Sequence, residues 1–273
     1  MHENSDLLKM GGDEMKLIIS SVLWEKQLKE GLHQIKLLEK IPETRCAGIE
    51  FRPFWHNLDQ EVAEIKPILA SKKYACVYAC NDGVLADTRE NTIQAIAALM
   101  TSIHLADQLG AKILRLNVAV DSYSPEFIKA TWWKAEMEKA IALAAKYQII
   151  LAVENGPNKE KGDARILHEM LSTMNSLWFR LTFDTANWIY AGYQPEEAFE
   201  LLSSYIGYVH LKDLVADGTG YKHSYPGSGN VDVKGLAARL KLRGYNGLAA
   251  LEFPGGEDPM RRIQDSLCYL GDR

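Results

Sequence analysis

The chain has 273 residues, 47% of them hydrophobic and 25% charged, with a formal net charge of −5. That balance describes an ordinary globular chain and excludes disordered and fibrous classes. The acidic excess, without a basic stripe or a like-charge tail, argues against a nucleic-acid partner, whose phosphates require clustered lysine and arginine.

The start, MHENSDLLKMGGDEMK, lacks an apolar core of signal-peptide length, and no run approaches the roughly 20 apolar residues of a membrane span. Residues 1–14 read as a polar leader before a single domain over residues 15–273, and the chain reads as cytoplasmic with no membrane partner. Next come short β-rich runs: MKLIISSV, CAGIEF, KYACVYA, AKILRLNV, QIILAVE, FRLTFD, IGYVHLK and GLAALEF. Between them lie segments of helical periodicity. In SPEFIKATWWKAEMEKAIALAAKY, Ser124 suits a cap, Pro125 the first helical position and Glu126 the dipole. In NVDVKGLAARLKLRGYNG, Asp232 suits a cap and Gly244 a terminator. Strand and helix alternate at intervals near 30 residues, which predicts parallel βαβ units and a closed (β/α)₈ TIM barrel. A doubly wound sheet would usually carry a glycine-rich phosphate turn after its first strand, and LIISSVLWEKQ has none. No C-x-x-C zinc spacing occurs, so Cys46, Cys76, Cys80 and Cys268 are expected as buried small apolar side chains in a reducing compartment.

Four of the runs end in a possible metal ligand: Glu154, Asp184, His210 and Glu252. Residues two apart on a strand share a face, and barrel chemistry gathers at the strands' carboxyl ends. Thr182 and Arg180 then face inward with Asp184, while Leu181 and Phe183 point outward under the helices. All four candidate ligands are expected inward at one mouth, on consecutive strands. Any one of them alone is more often a loop, cap or core residue. Three carboxylates so close would repel one another, and a divalent cation removes that conflict. Three oxygen ligands with one imidazole suit Mn²⁺, Mg²⁺ or Co²⁺, with Zn²⁺ also able to bind.

The series VEN, FDTAN, HLKD, PGSGNVD and the terminal LEF resembles the motif series of the xylose isomerase-like barrel superfamily, the sugar isomerases and epimerases, from the first strand to Glu252. The resemblance implies that Glu154, Asp184, His210 and Glu252 match the family's divalent metal ligands, and that Glu154 and Glu252 match its two acid/base carboxylates. It also implies a carbohydrate substrate and a common tendency to form homo-oligomers. One position departs: where the epimerases and the endonuclease IV type carry a histidine three residues after the strand-six aspartate, this chain has Asn187. That departure weakens both a copied ketose 3-epimerase site and a multi-zinc nuclease site.

Further candidates carry two readings each. Lys212 faces inward to polarise a substrate oxygen, or is an exposed rim lysine. Arg115 and Glu50 form a structural buried ion pair, or contact substrate. Trp188, Tyr225 and Phe253 form an apolar wall beside a sugar ring, or pack under loops. His223 reaches the mouth, or more simply is a solvated loop histidine. The turn YPGSGN offers N–H groups to a phosphate, or only precedes the cap Asp232. The expected activity is a metal-dependent isomerase or epimerase acting through an enediolate. Alternatives are a polyol or keto-acid dehydratase, an endonuclease IV-like nuclease and a non-catalytic barrel.

Overall fold

The computed structural model describes residues 14–218 and 220–271, so residues 1–13 of the expected leader lie outside the described residues. The eight expected strands all form: β1 (Lys16–Ser20), β2 (Gly48–Phe51), β3 (Ala75–Leu85), β4 (Ile113–Ala119), β5 (Ile150–Glu154), β6 (Phe179–Asp184), β7 (Ile206–Leu211) and, after a hairpin of β8 (Asp213–Ala216) and β9 (Tyr221–Ser224), β10 (Leu248–Leu251). They close in the order β1-β10-β7-β6-β5-β4-β3-β2, the expected (β/α)₈ barrel, while β8 and β9 make a separate two-stranded sheet. Strands covered on both faces read as nearly unbroken apolar runs, and every residue of β5 is buried.

Among the described residues, nine α-helices accompany these strands: α1 (Glu25–Lys29), α2 (Leu58–Lys72), α3 (Arg89–Leu109), α4 (Thr131–Tyr147), α5 (Ala164–Met174), α6 (Asn187–Ala191), α7 (Pro195–Leu202), α8 (Val233–Leu242) and, after β10, α9 (Pro259–Leu270). Asp232 caps α8 as expected, accepting from the Gly235 N–H at 2.9 Å, and Gly244 follows its end at φ 78°. The segment after Ser124 differs from expectation. Pro125–Lys129 is a short 3₁₀ turn, Ala130 is extended, and α4 begins only at Thr131. The Ser124 hydroxyl donates instead to the Asp87 carbonyl at 3.0 Å, so it is committed elsewhere and caps nothing.

The chain comprises two compact units: one runs through residue 76, includes 184–186 and resumes at 209; the other comprises 77–183 and 187–208. In the first, Ile18, Ile19, Ile49, Phe51 and Leu251 are fully buried. In the second, Leu114, Leu116, Leu151, Val153, Leu181 and Phe183 are fully buried. Within that second unit the β3–β4 register shifts between Ala79 and Gly83. A Cβ at Gly83 would stand 2.7 Å from the Ala119 Cα, so only glycine permits the approach.

Cys46, Cys76 and Cys80 are buried as expected, and burial pushes each thiol up to about 12. Cys268 is exposed, contrary to expectation, because Ile263, Ser266 and Leu267 take the buried face of α9. Among the described residues, no helix is long and apolar enough to cross a membrane.

Candidate metal centre

Strand alternation explains why charges end these apolar runs. Glu154 closes β5, Asp184 closes β6, His210 is the fifth of six residues in β7, and Glu252 follows β10. Ala250 is the register partner of His210, so Glu252 lies one step further along the same face. Glu154, Asp184, His210 and Glu252 are all buried, and each offers a ligand atom within 4.8 Å of the others.

The two nitrogens of the His210 ring meet different neighbours. Its Nε2 is 2.8 Å from Glu50 Oε2, while its Nδ1 faces Asp184 Oδ2 and Glu252 Oε2, each at 3.9 Å. Glu50 Oε1 accepts from the Ser20 hydroxyl at 2.6 Å and from Arg52 Nε at 3.2 Å. Burial alone would raise the Glu50 carboxyl, but His210 and Arg52 outweigh it and bring the pKa down to about 2.

Lys212 is a buried cation between two of the candidate ligands. Its Nζ lies 2.9 Å from Asp184 Oδ2 and 2.7 Å from Glu252 Oε2. Burial would push this ammonium down, but Asp184 and Glu252 hold it above the ordinary lysine value. The Thr185 hydroxyl anchors its backbone, donating to the Lys212 carbonyl at 2.7 Å. Glu252 Oε1 accepts from Arg52 Nη2 at 2.6 Å. Burial would raise this carboxyl too, yet Lys212, Arg52 and His210 hold it well below the usual carboxylate range. Asp184 Oδ1 accepts from the Ala186 N–H at 2.9 Å. In the other unit, the Arg115 guanidinium pairs with Glu154 Oε2 and donates to the Cys80 carbonyl at 3.2 Å.

Within its own unit Arg115 pairs with Glu154, and within the other Glu50 meets His210 and Arg52. Arg52 escaped sequence reasoning; its one signal is the two-residue offset from Glu50, which gives both side chains the same face. Asn187 is buried and donates to the Asn155 carbonyl at 2.8 Å. Trp188 is fully buried, its ring 5.3 Å from Phe183 and 6.5 Å from Tyr193. Tyr225 packs on Phe253 at 6.2 Å.

His223 is not a solvated loop histidine: it belongs to β9, opposite Leu214, and is half-buried. Burial lowers its pKa, as does the Lys212 charge, while Asp184 and Glu252 pull the other way. The YPGSGN turn gives the N–H groups of Gly227 and Gly229 to a carboxylate of this chain. Asp213, fully buried, accepts from the N–H groups of Leu214, Gly227, Gly229 and Val231 at 2.7–3.1 Å.

A family model described as the xylose isomerase-like TIM barrel matches residues 38–272. The chain belongs to that family. No curated protein matches it in sequence. Among solved structures, this xylose isomerase-like chain resembles a D-tagatose 3-epimerase-like protein at 21% identity and TM-score 0.73, over 94% of this chain and 97% of that one. It also resembles AsbF of Bacillus anthracis, a probable 3-DHS dehydratase involved in petrobactin synthesis, at 16% identity and TM-score 0.73, over 95% and 100%. A third is the IOLI protein, which carries a zinc atom, at 15% identity and TM-score 0.71, over 93% and 96%. Identities this low establish a shared fold.

In this xylose isomerase-like barrel the donor set fits a divalent cation. Two donors each about 2.1 Å from one ion stand roughly 3 to 4 Å apart. The 3.9 Å separations at His210 Nδ1 are of that size. The chemistry agrees, with three carboxylates supplying charge and one imidazole nitrogen directed at them.

Proposed function

We propose that the chain is a divalent-metal-dependent isomerase or epimerase of small carbohydrates, working by proton transfer beside a carbonyl through an enediolate. The observation that carries this reading is the buried convergence of Glu154, Asp184, His210 and Glu252 at a barrel's strand ends. A divalent cation held by these four, Mn²⁺ best suited and Mg²⁺, Co²⁺ or Zn²⁺ able to bind, would stabilise the enediolate oxygens electrostatically.

The chain's own residues divide the remaining work. Glu154 and Glu252 form the acid/base pair, one removing the proton beside the carbonyl and the other returning it. Return to the same carbon is epimerisation; return to its neighbour is aldose–ketose isomerisation. The Lys212 ammonium and the Arg52 guanidinium hold Glu252 in its ionised form, and the Arg115 guanidinium orients Glu154 by pairing with its Oε2. With Asp184 and Glu252 serving as ligands, Lys212 would be free to donate to a substrate oxygen, and Asn187 offers an uncharged amide where an epimerase would present an imidazole. Trp188 supports β6 from its packed position behind Phe183.

Dehydration of a polyol or keto acid is a second reading, supported by the likeness to AsbF and by chemistry that begins with the same proton abstraction. A panel of free and phosphorylated ketoses, aldoses and keto acids, incubated with Mn²⁺ in D₂O and followed by NMR, separates the two. Deuterium entering a sugar without loss of water marks isomerase or epimerase action, whereas a new unsaturated product marks a dehydratase. Glu154→Gln and Glu252→Gln are each expected to lower turnover by at least about 10²-fold, the scale of a lost general acid or base. Metal content must be measured in each variant. Near wild-type turnover with the metal in place would overturn the two-carboxylate scheme.

A further inference from the structure

We infer that Glu50 and Arg52 are positioning residues that make His210 and Glu252 into metal ligands, Glu50 by fixing the imidazole tautomer and Arg52 by fixing which glutamate oxygen faces the centre. This role rests on the metal reading of the centre, although the tautomer can be measured without any metal.

Register supplies the first step, since Ser20 of β1 is the Cα partner of Glu50 of β2 and donates its hydroxyl to Glu50 Oε1 at 2.6 Å. Arg52, two residues on and on the same face, gives its Nε to that same oxygen at 3.2 Å. Oε2 is thereby turned to His210 Nε2 at 2.8 Å. An ionised carboxylate only accepts, so the ring must donate through Nε2. A neutral imidazole with its proton on Nε2 presents the Nδ1 lone pair, and Nδ1 is the nitrogen that faces Asp184 and Glu252. Arg52 then performs the matching task. Its Nη2 holds Glu252 Oε1 at 2.6 Å, which leaves Oε2 toward His210 Nδ1. One carboxylate and one guanidinium therefore orient ligands from two other strands, the outer-shell arrangement that raises ligand basicity and fixes ring orientation.

The test uses the full chain. In metal-free wild type, ¹⁵N–¹H correlation of the ring nitrogens should show His210 protonated at Nε2. Its signal is assigned by its loss in His210→Gln. The Glu50→Gln amide can offer either an oxygen or an NH₂ to the ring, so the Nδ1–H tautomer should become populated. Mn²⁺ binding, followed by competition with a chelating dye, should weaken by about 10- to 100-fold. Arg52→Met should weaken Mn²⁺ binding and leave the tautomer as in wild type. A merely structural role would lower the thermal midpoint and move neither readout. His210 protonated at Nδ1 in wild type would overturn the inference, as would a folded Glu50→Gln that binds Mn²⁺ like wild type. Should Glu50→Gln fail to fold, the wild-type tautomer and Arg52→Met still decide. A wild type that binds no Mn²⁺ overturns the metal centre itself, and so differs from a positioning failure, in which wild type and Glu50→Gln bind equally.

Discussion

A carboxylate withdrawn from water needs its charge met, and fully buried Asp184 is met by the Lys212 ammonium at 2.9 Å and the Ala186 N–H at 2.9 Å. His223 senses the same field. Burial and then the Lys212 charge hold its imidazole below the ordinary value, against the opposite pull of Asp184 and Glu252. A depressed folded pKa means that the unfolded chain takes up the proton first as pH falls. The contribution of His223 to stability is therefore present above the unfolded value of about 6.5 and is lost as pH falls below it toward the folded pKa. In metal-free protein, the urea midpoint of wild type should fall more steeply with acidification from about pH 7 than that of His223→Gln. Parallel curves would show that the imidazole is as free as in the unfolded chain.

Single elements depend on a few buried anchors, and the loop from Tyr225 to Val231 hangs on Asp213. Four N–H groups converge on its carboxylate, and hydrogen bonds to a charged acceptor contribute about 1.5–3 kcal/mol each, less than additively in a cluster. Asp213→Ala should cost at least about 3 kcal/mol in urea unfolding, with Asp213→Asn between it and wild type because an amide keeps only one acceptor oxygen. A loss below about 1 kcal/mol would mean that the loop is held from elsewhere. This anchor shows where sequence reading stops. Period-two alternation made Glu154, Asp184, His210 and Glu252 legible, because each places a polar ligand atom at the end of an apolar run and shares a face with residues two back. The Asp213 cage has no such signature: its partners are backbone groups spread over 214–231, in a polar stretch that reads as loop. The β8–β9 hairpin was hidden for the same reason, since Tyr221, Lys222 and His223 lack an apolar face. Arg52 follows its strand in the run RPFW, and only its three-dimensional partners Glu50 and Glu252 reveal its task.

Across the whole molecule, the closed order of eight strands makes distant stretches of sequence into neighbours: β1 pairs with β10, and Lys16 lies beside Leu248. A mutation in β1 therefore acts on its pairing with β10, the strand that Glu252 follows. Lys212 gives the centre a kinetic property as well. Its ammonium occupies the same two oxygens, Asp184 Oδ2 and Glu252 Oε2, that an incoming metal would need. Loading of a metal would then be an exchange of one cation for another, and its rate would be limited by how often the lysine swings away. In stopped-flow mixing with Mn²⁺, the wild-type uptake rate should level off as metal concentration rises, at the swing rate of the side chain. Lys212→Met removes the occupant, so its uptake should stay proportional to concentration over the same range. A wild-type rate that climbs linearly throughout would mean that the lysine leaves too fast to matter. Where the rate does level off, a brief surge of metal passes before the site can answer, and only a sustained supply fills it.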